Sequence, residues 1–210
     1  MKRTIFITIL FSMVCGTVFS QTGKKLSESE RQIFEQKMVE QSQKITTLQC
    51  TFVQEKTSTL VSGKATAKGI LLYQSPSMLR WEYSEPTVST LILNGNNAIL
   101  LNKNGQKTGN EKMLKQLGGI IISMINGDGI VKNMQFTAEF YELDNTQTLI
   151  VLFPLQKRLK DFYNKIEIKI ETKTMLANSV IFYEKSGDKM VISFANKVLN
   201  AEIAQSKFSF

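Results

Sequence analysis

Three observations predict an α+β fold built on one large antiparallel sheet. Apolar and polar residues alternate with a period of two through most of residues 45–106 and again through 134–197. Two segments break that rhythm and switch to helical spacing. All three prolines, Pro76, Pro86 and Pro154, close predicted strands, where a missing N–H costs least. A sheet of about 11 strands cannot stay flat; it must curl or close on itself.

The first 20 residues stand apart. Lys2 and Arg3 precede an uncharged, mostly apolar run from Thr4 to Val14, and Val18 and Ser20 occupy the −3 and −1 positions of a cut before Gln21. That is the layout of a secretory signal peptide, with an apolar core too short to span a bilayer. A lipoprotein signal would acylate Cys15, but Val14 stands where such a signal needs a small residue. The expected organisation is a cleaved signal over 1–20 and one domain over 21–210. The domain then carries 24 basic against 18 acidic residues, a net +6. The basic residues are scattered and read first as a solubilising surface. In an exported chain the excess suits anionic lipid surfaces or acidic partners better than nucleic acid. Only Cys50 remains after cleavage, so no intrachain disulfide can form; between Leu48 and Phe52 it reads as a small buried hydrophobe.

Along the domain, Ser27 with Glu30 forms a capping-box signature at the start of a helix over 28–45, with Ile33, Phe34, Met38 and Ile45 as its rough apolar stripe. Strands follow over 45–58, 62–76 and 78–86. The third, MLRWEYSEP, puts Leu79, Trp81 and Tyr83 on one side and Arg80 and Glu82 on the other. Residues 88–106 read as a hairpin around Asn94–Asn97 with a second turn at Asn104-Gly105. Met113, Leu114, Leu117, Ile120, Ile121, Met124 and Ile125 then share one helical face, opposite Lys112, Lys115 and Gln116. Gly118-Gly119 weakens that helix by roughly 1 kcal/mol per glycine relative to alanine. Strands resume at about 134–143, 147–154, 161–171, 175–185 and 189–197, and Ser206–Phe210 reads as a short final strand with Phe208 and Phe210 on one face.

The chain contains no histidine. That removes Ser-His-Asp and Cys-His catalysis and most zinc sites. Phosphate-binding glycine loops and EF-hand spacing are absent from the sequence. Glu82 and Glu85 read as solvated acids, and the tyrosines form no nucleic-acid-binding pattern. A binding protein without cofactor or metal is expected, not an enzyme. The open question is whether the Leu79–Trp81–Tyr83 face is plain core or the lining of a cavity.

The segments ITTLQCTFVQE, GILLYQSPSMLRWEYSEP and STLILNGNNAILLN, between a leading helix and the closing SKFSF, resemble the LolA family of periplasmic outer-membrane lipoprotein carriers. The specific part runs from Phe52 to Pro86; later strands match in order and length. The resemblance implies an unclosed, strongly curved half-barrel with helices as a lid and acyl chains on the apolar concave face. It implies lipid contact by Phe52, Leu71, Tyr73, Leu79, Trp81, Tyr83 and Leu93, and a lid carrying Met113, Leu117, Ile121 and Met124, with Gly118-Gly119 letting it move. It further implies a periplasmic monomer whose partners are acylated lipoproteins, an inner-membrane lipoprotein-releasing ABC transporter, and an outer-membrane acceptor or the outer membrane itself. Well-known members latch the lid with an arginine just before the proline after the second strand; here that residue is Ser75, and Arg80 points away from the Leu79–Trp81 face. A second reading is a sensor or regulatory module on the same fold that binds a lipid or a protein terminus; it would carry a further domain.

Overall fold

The computed structural model describes residues 23–60, 62–125 and 135–209. The predicted signal peptide, Cys15 and Phe210 lie outside them. Inside the second helix, the side chains of Met113, Leu117 and Met124 also lie outside the described set.

Twelve strands form one sheet: β1 (Lys24–Lys25), β2 (Thr47–Thr57), β3 (Lys64–Gln74), β4 (Met78–Glu85), β5 (Ser89–Asn94), β6 (Asn97–Asn102), β7 (Lys107–Thr108), β8 (Phe136–Asp144), β9 (Gln147–Pro154), β10 (Tyr163–Glu171), β11 (Leu176–Glu184) and β12 (Lys189–Leu199). Their spatial order is β1-β8-β9-β10-β11-β12-β2-β3-β4-β5-β6-β7. Two antiparallel meanders are therefore zipped together by the β12–β2 ladder, in which Phe194 faces Phe52 and Ile192 faces Gln54. The outer strands β1 and β7 do not pair, so the curved sheet stays unclosed. The hairpin expected after residue 88 is β5–β6, turned by Gly95-Asn96 with Gly95 at φ +57°.

Helix α1 (Glu28–Ser42) begins with the expected capping box: the Glu30 N–H donates to Ser27 Oγ and the Ser27 N–H to Glu30 Oε2. It ends three residues earlier than the apolar spacing suggested, and Ile33 faces solvent while Phe34 and Met38 are buried. Ile45 is buried beyond the helix end. Helix α2 (Glu111–Ile125) runs unbroken through Gly118-Gly119. A six-residue helix α3 (Lys157–Phe162), not expected from the sequence, fills the β9–β10 connection.

The expected final strand is a short 3-10 helix, Gln205–Phe208. Phe208 is fully buried, its carbonyl accepts from Asn94 Nδ2, and the Lys207 carbonyl accepts from Arg80. Arg80 thus lies on the outer face, opposite Trp81, where it also pairs with Glu82 at 2.6 Å and helps dock the C-terminal segment on β4 and β5.

The inner face holds two apolar clusters. One lies under α1: Phe34 and Met38 pack on Phe140, Ile150, Leu152, Ile166, Ile168, Ile170 and Val180. The other lies under α2 on β2 to β6. Phe182 and Phe194 pack against both.

Candidate functional site

The α2-covered cluster is assembled by strand register. Leu71 stands opposite Cys50 on one side and Trp81 on the other; Tyr73 stands between Leu48 and Leu79. Leu79 then faces Leu93, and Trp81 faces Leu91. Because the side-chain period is two, these pairings put every one of them on a single face. Gly69 completes the pattern between Phe52 and Tyr83. A β-carbon there would sit 2.6 Å from the Phe52 ring and closer still to the Glu82 carbonyl. The bare backbone lets Phe52 lie across the strand, 4.3 Å from the Trp81 ring system and edge-on to Tyr83 at 5.2 Å.

Phe52, Leu71, Tyr73, Leu79, Trp81 and Leu93 are buried together in this cluster, with Tyr83 and Ile121 packed half-buried against it. Sequence reasoning did not count Leu48, Leu91, Ala98 or Ile192 among the site residues, yet they belong to the same surface, as does Leu114 of the predicted helical face. The signal that could have found them is register: each strand position sits opposite a residue already on that face. Cys50 is buried here too, and burial pushes its thiol up to about 11, as fits a small hydrophobe and not a nucleophile.

Helix α2 covers this face by direct contact with β5 and β6 and also meets β11. It packs closely on β5 at Gly118, where an added β-carbon would fall 2.3 Å from the Leu93 methyls. Gly118 is therefore where the helix seats on the sheet, whereas a β-carbon at Gly119 would meet nothing. The second glycine is the one without a packing reason.

Polar groups of Tyr83 and Trp81 lie within the apolar surface. The Tyr83 hydroxyl donates to Gln54 Oε1 at 2.8 Å. Burial pushes this phenol up, with the neighbouring Trp81 N–H acting in the other direction. That indole N–H itself is buried and falls short of hydrogen-bond geometry with any partner. Leaving a buried donor unpaired costs about 1–3 kcal/mol. Among the described residues no cluster of side chains could hold a metal ion. The arrangement is a broad apolar floor covered by one helix, with one buried donor that lacks a partner.

A family model described as the outer membrane lipoprotein carrier protein LolA matches residues 43–210. The chain belongs to the LolA family. No curated protein sequence matches it significantly. Among solved structures it is similar to MucB, at 11% identity and TM-score 0.54, covering 88% of this chain and 64% of that one. It is similar to an uncharacterised conserved protein from Thermus thermophilus, at 9% identity and TM-score 0.52 over 85% and 92% of the two chains. A LolA superfamily protein from Nitrosomonas europaea aligns at 11% identity and TM-score 0.43 over 84% and 97%. At such identities the likeness is one of fold. The LolA-family match spans the whole inner face described above, from β2 onward, and leaves α1 outside it. Among the described residues of this LolA-family chain, no helix is long and apolar enough to cross a membrane.

Proposed function

We propose that this LolA-family chain is a soluble periplasmic carrier that takes the acyl chains of lipoproteins onto the α2-covered face and hands them from the inner to the outer membrane. On this reading residues 1–20 are a cleaved signal peptide. The donor is an inner-membrane lipoprotein-releasing ABC transporter, and the recipient is an outer-membrane acceptor or that membrane itself.

The observation that carries the reading is the seating of α2 through Gly118 on Leu93, over a floor otherwise made of leucine and aromatic side chains. Burying one CH₂ group is worth about 0.8 kcal/mol, so a sixteen-carbon chain gains on the order of 12 kcal/mol if fully enclosed. A carrier that kept that whole gain would not release its cargo. Here the empty protein covers the floor with its own helix, so an incoming chain must displace Leu114, Ile121 and their neighbours. Only the difference between the two coverings then appears as affinity. The Trp81 N–H, unpaired in the closed form, can donate to an ester or amide carbonyl near the head of an acyl chain, which favours the loaded form further.

The test is native mass spectrometry of residues 21–210 incubated with a triacylated lipoprotein in detergent and then exchanged out of it, with Leu79→Glu as a parallel sample. A one-to-one complex that is lost in a variant still folded by circular dichroism supports the reading. Absence of a complex with the wild-type chain overturns it.

A further inference from the structure

One rim of the sheet carries three loops side by side. The β9–β10 connection holds α3, and its Phe162 carbonyl accepts from the Lys185 N–H of the β11–β12 turn at 2.8 Å. The same turn accepts hydrogen bonds from the loop after β2: the Thr59 N–H donates to Asp188 Oδ1 at 3.0 Å, and Thr59 Oγ1 to the Ser186 carbonyl at 3.2 Å. The continuous edge so formed displays large apolar side chains to solvent. Leu60 is 90% exposed, Phe162 62% and Leu155 46%. Exposed apolar residues are ordinary when single; three of this size on hydrogen-bonded neighbouring loops are a patch.

The same edge is cationic. Lys157, Arg158, Lys160 and Lys185 are exposed, and none makes an ion pair among the described residues. The nearby acids Glu184 and Asp188 are engaged with Lys56, at 3.1 and 3.5 Å, which leaves Asp161 as the exposed acid of α3. Greasy tips interleaved with unpaired cations match the boundary of an anionic bilayer, where the first enter the headgroup region and the second meet phosphate.

We propose that this rim is a membrane-docking surface whose partner is an anionic phospholipid bilayer. The net positive charge of the chain, which the apolar face does not use, finds a role there. The rim also leads inward. Phe162 contacts Tyr163 at 6.5 Å between ring centres, and Tyr163 contacts Phe182 at 5.6 Å, the residue that packs against both inner clusters. Tyr83, Met190 and Phe194 stay half-buried on the inner face, while Leu79, Tyr73 and Leu48, nearer the other rim, are sealed. Where the inner face carries acyl chains, the docked rim is the side on which they cross to and from lipid. That last clause rests on the carrier reading; the docking does not.

Flotation of residues 21–210 with vesicles separates the two. Vesicles of phosphatidylglycerol and phosphatidylethanolamine are compared with pure phosphatidylcholine, for wild type, for Lys157→Glu/Arg158→Glu/Lys160→Glu, and for Leu155→Ser/Phe162→Ser. All five positions are at the surface, and an unchanged thermal transition confirms that the variants fold. Binding of the wild type to the anionic vesicles is expected to fall on the order of a hundredfold with the charge reversal. It should fall about tenfold or more with the apolar double substitution, and weaken with added salt. Failure of the wild type to float, equal binding to phosphatidylcholine, or binding that survives both variants would overturn the proposal. Loss of flotation in a variant that still forms the one-to-one lipoprotein complex would separate docking from carriage and leave both standing.

Discussion

The two halves of the inner face are covered by one helix each, and they are built from different side chains. Under α1 the floor is largely isoleucine and valine: Ile150, Ile166, Ile168, Ile170 and Val180, all buried, with Phe34 edge-on to Phe140 at 5.9 Å. Under α2 it is leucine, tyrosine, phenylalanine and the chain's one tryptophan, with a ring of half-buried neighbours that includes Leu100, Ile122 and Met190. β-Branched side chains have one strongly favoured χ1 and pack one way. Leucine, methionine and aromatic side chains have longer reach and more ways to fill a space. The contrast teaches that one half is built for a fixed packing, and on the carrier reading the other is the half whose cover is exchanged. The only orphaned buried side-chain donor among the described residues, Trp81 Nε1, lies in the second half.

Substitutions can break or sharpen that division. The largest effect is expected from Ile168→Ala, at the fully buried centre of the α1 half. It should cost about 2–5 kcal/mol, lowering the thermal midpoint by roughly 5–15 °C while the folded fraction binds acyl ligand as before. Loss of binding in protein that remains folded would erase the distinction between the halves.

A smaller and more informative effect is expected from the glycine pair in α2. Gly118→Ala forces the helix or the buried Leu93 side chain to shift and should destabilise the closed form by about 1–3 kcal/mol, as overpacking does. On the carrier reading closure competes with cargo, and the same variant should then bind acyl ligand more tightly, about tenfold for each 1.4 kcal/mol removed from the closed form. Gly119→Ala, with open space at its β-carbon, should be neutral or stabilising by up to about 1 kcal/mol. Thermal unfolding and ligand titration of the two variants side by side read both signs. Equal behaviour of the pair would mean that α2 does not close by its seat on Leu93.

Much of this fold was legible from period alone. Strict alternation in MLRWEYSEP, terminated by Pro86, sufficed to put Leu79, Trp81 and Tyr83 on one face, and Ser27 with Glu30 marked the first turn of α1. What the sequence hid has a common cause: it depends on tertiary neighbours. The C-terminal segment alternates like a strand, yet the outer face of β4 and β5 takes up Phe208 and pins the backbone through Arg80 and Asn94. The two-residue edge strands β1 and β7 are too short to show a period, and α3 spans fewer than two turns. Gly118 looked like a weak point in a helix because the Leu93 methyls that require it come from another element. The face could be drawn from sequence; which residues of it stay sealed could not, because sealing is decided by where α1 and α2 cross.

The most direct test of the central claim uses the chain's single tryptophan as a reporter on the α2 half. Trp81 fluorescence is followed while residues 21–210 are titrated with a lipopeptide whose acyl chains carry bromine near their middle, with the unbrominated lipopeptide as reference. Bromine quenches indole only at contact range. Acyl chains held on the α2 half predict strong quenching that saturates at one lipopeptide per chain and is absent with the reference ligand. A lipopeptide that co-migrates with the protein yet leaves Trp81 unquenched would show that acyl chains sit elsewhere and would contradict the claim.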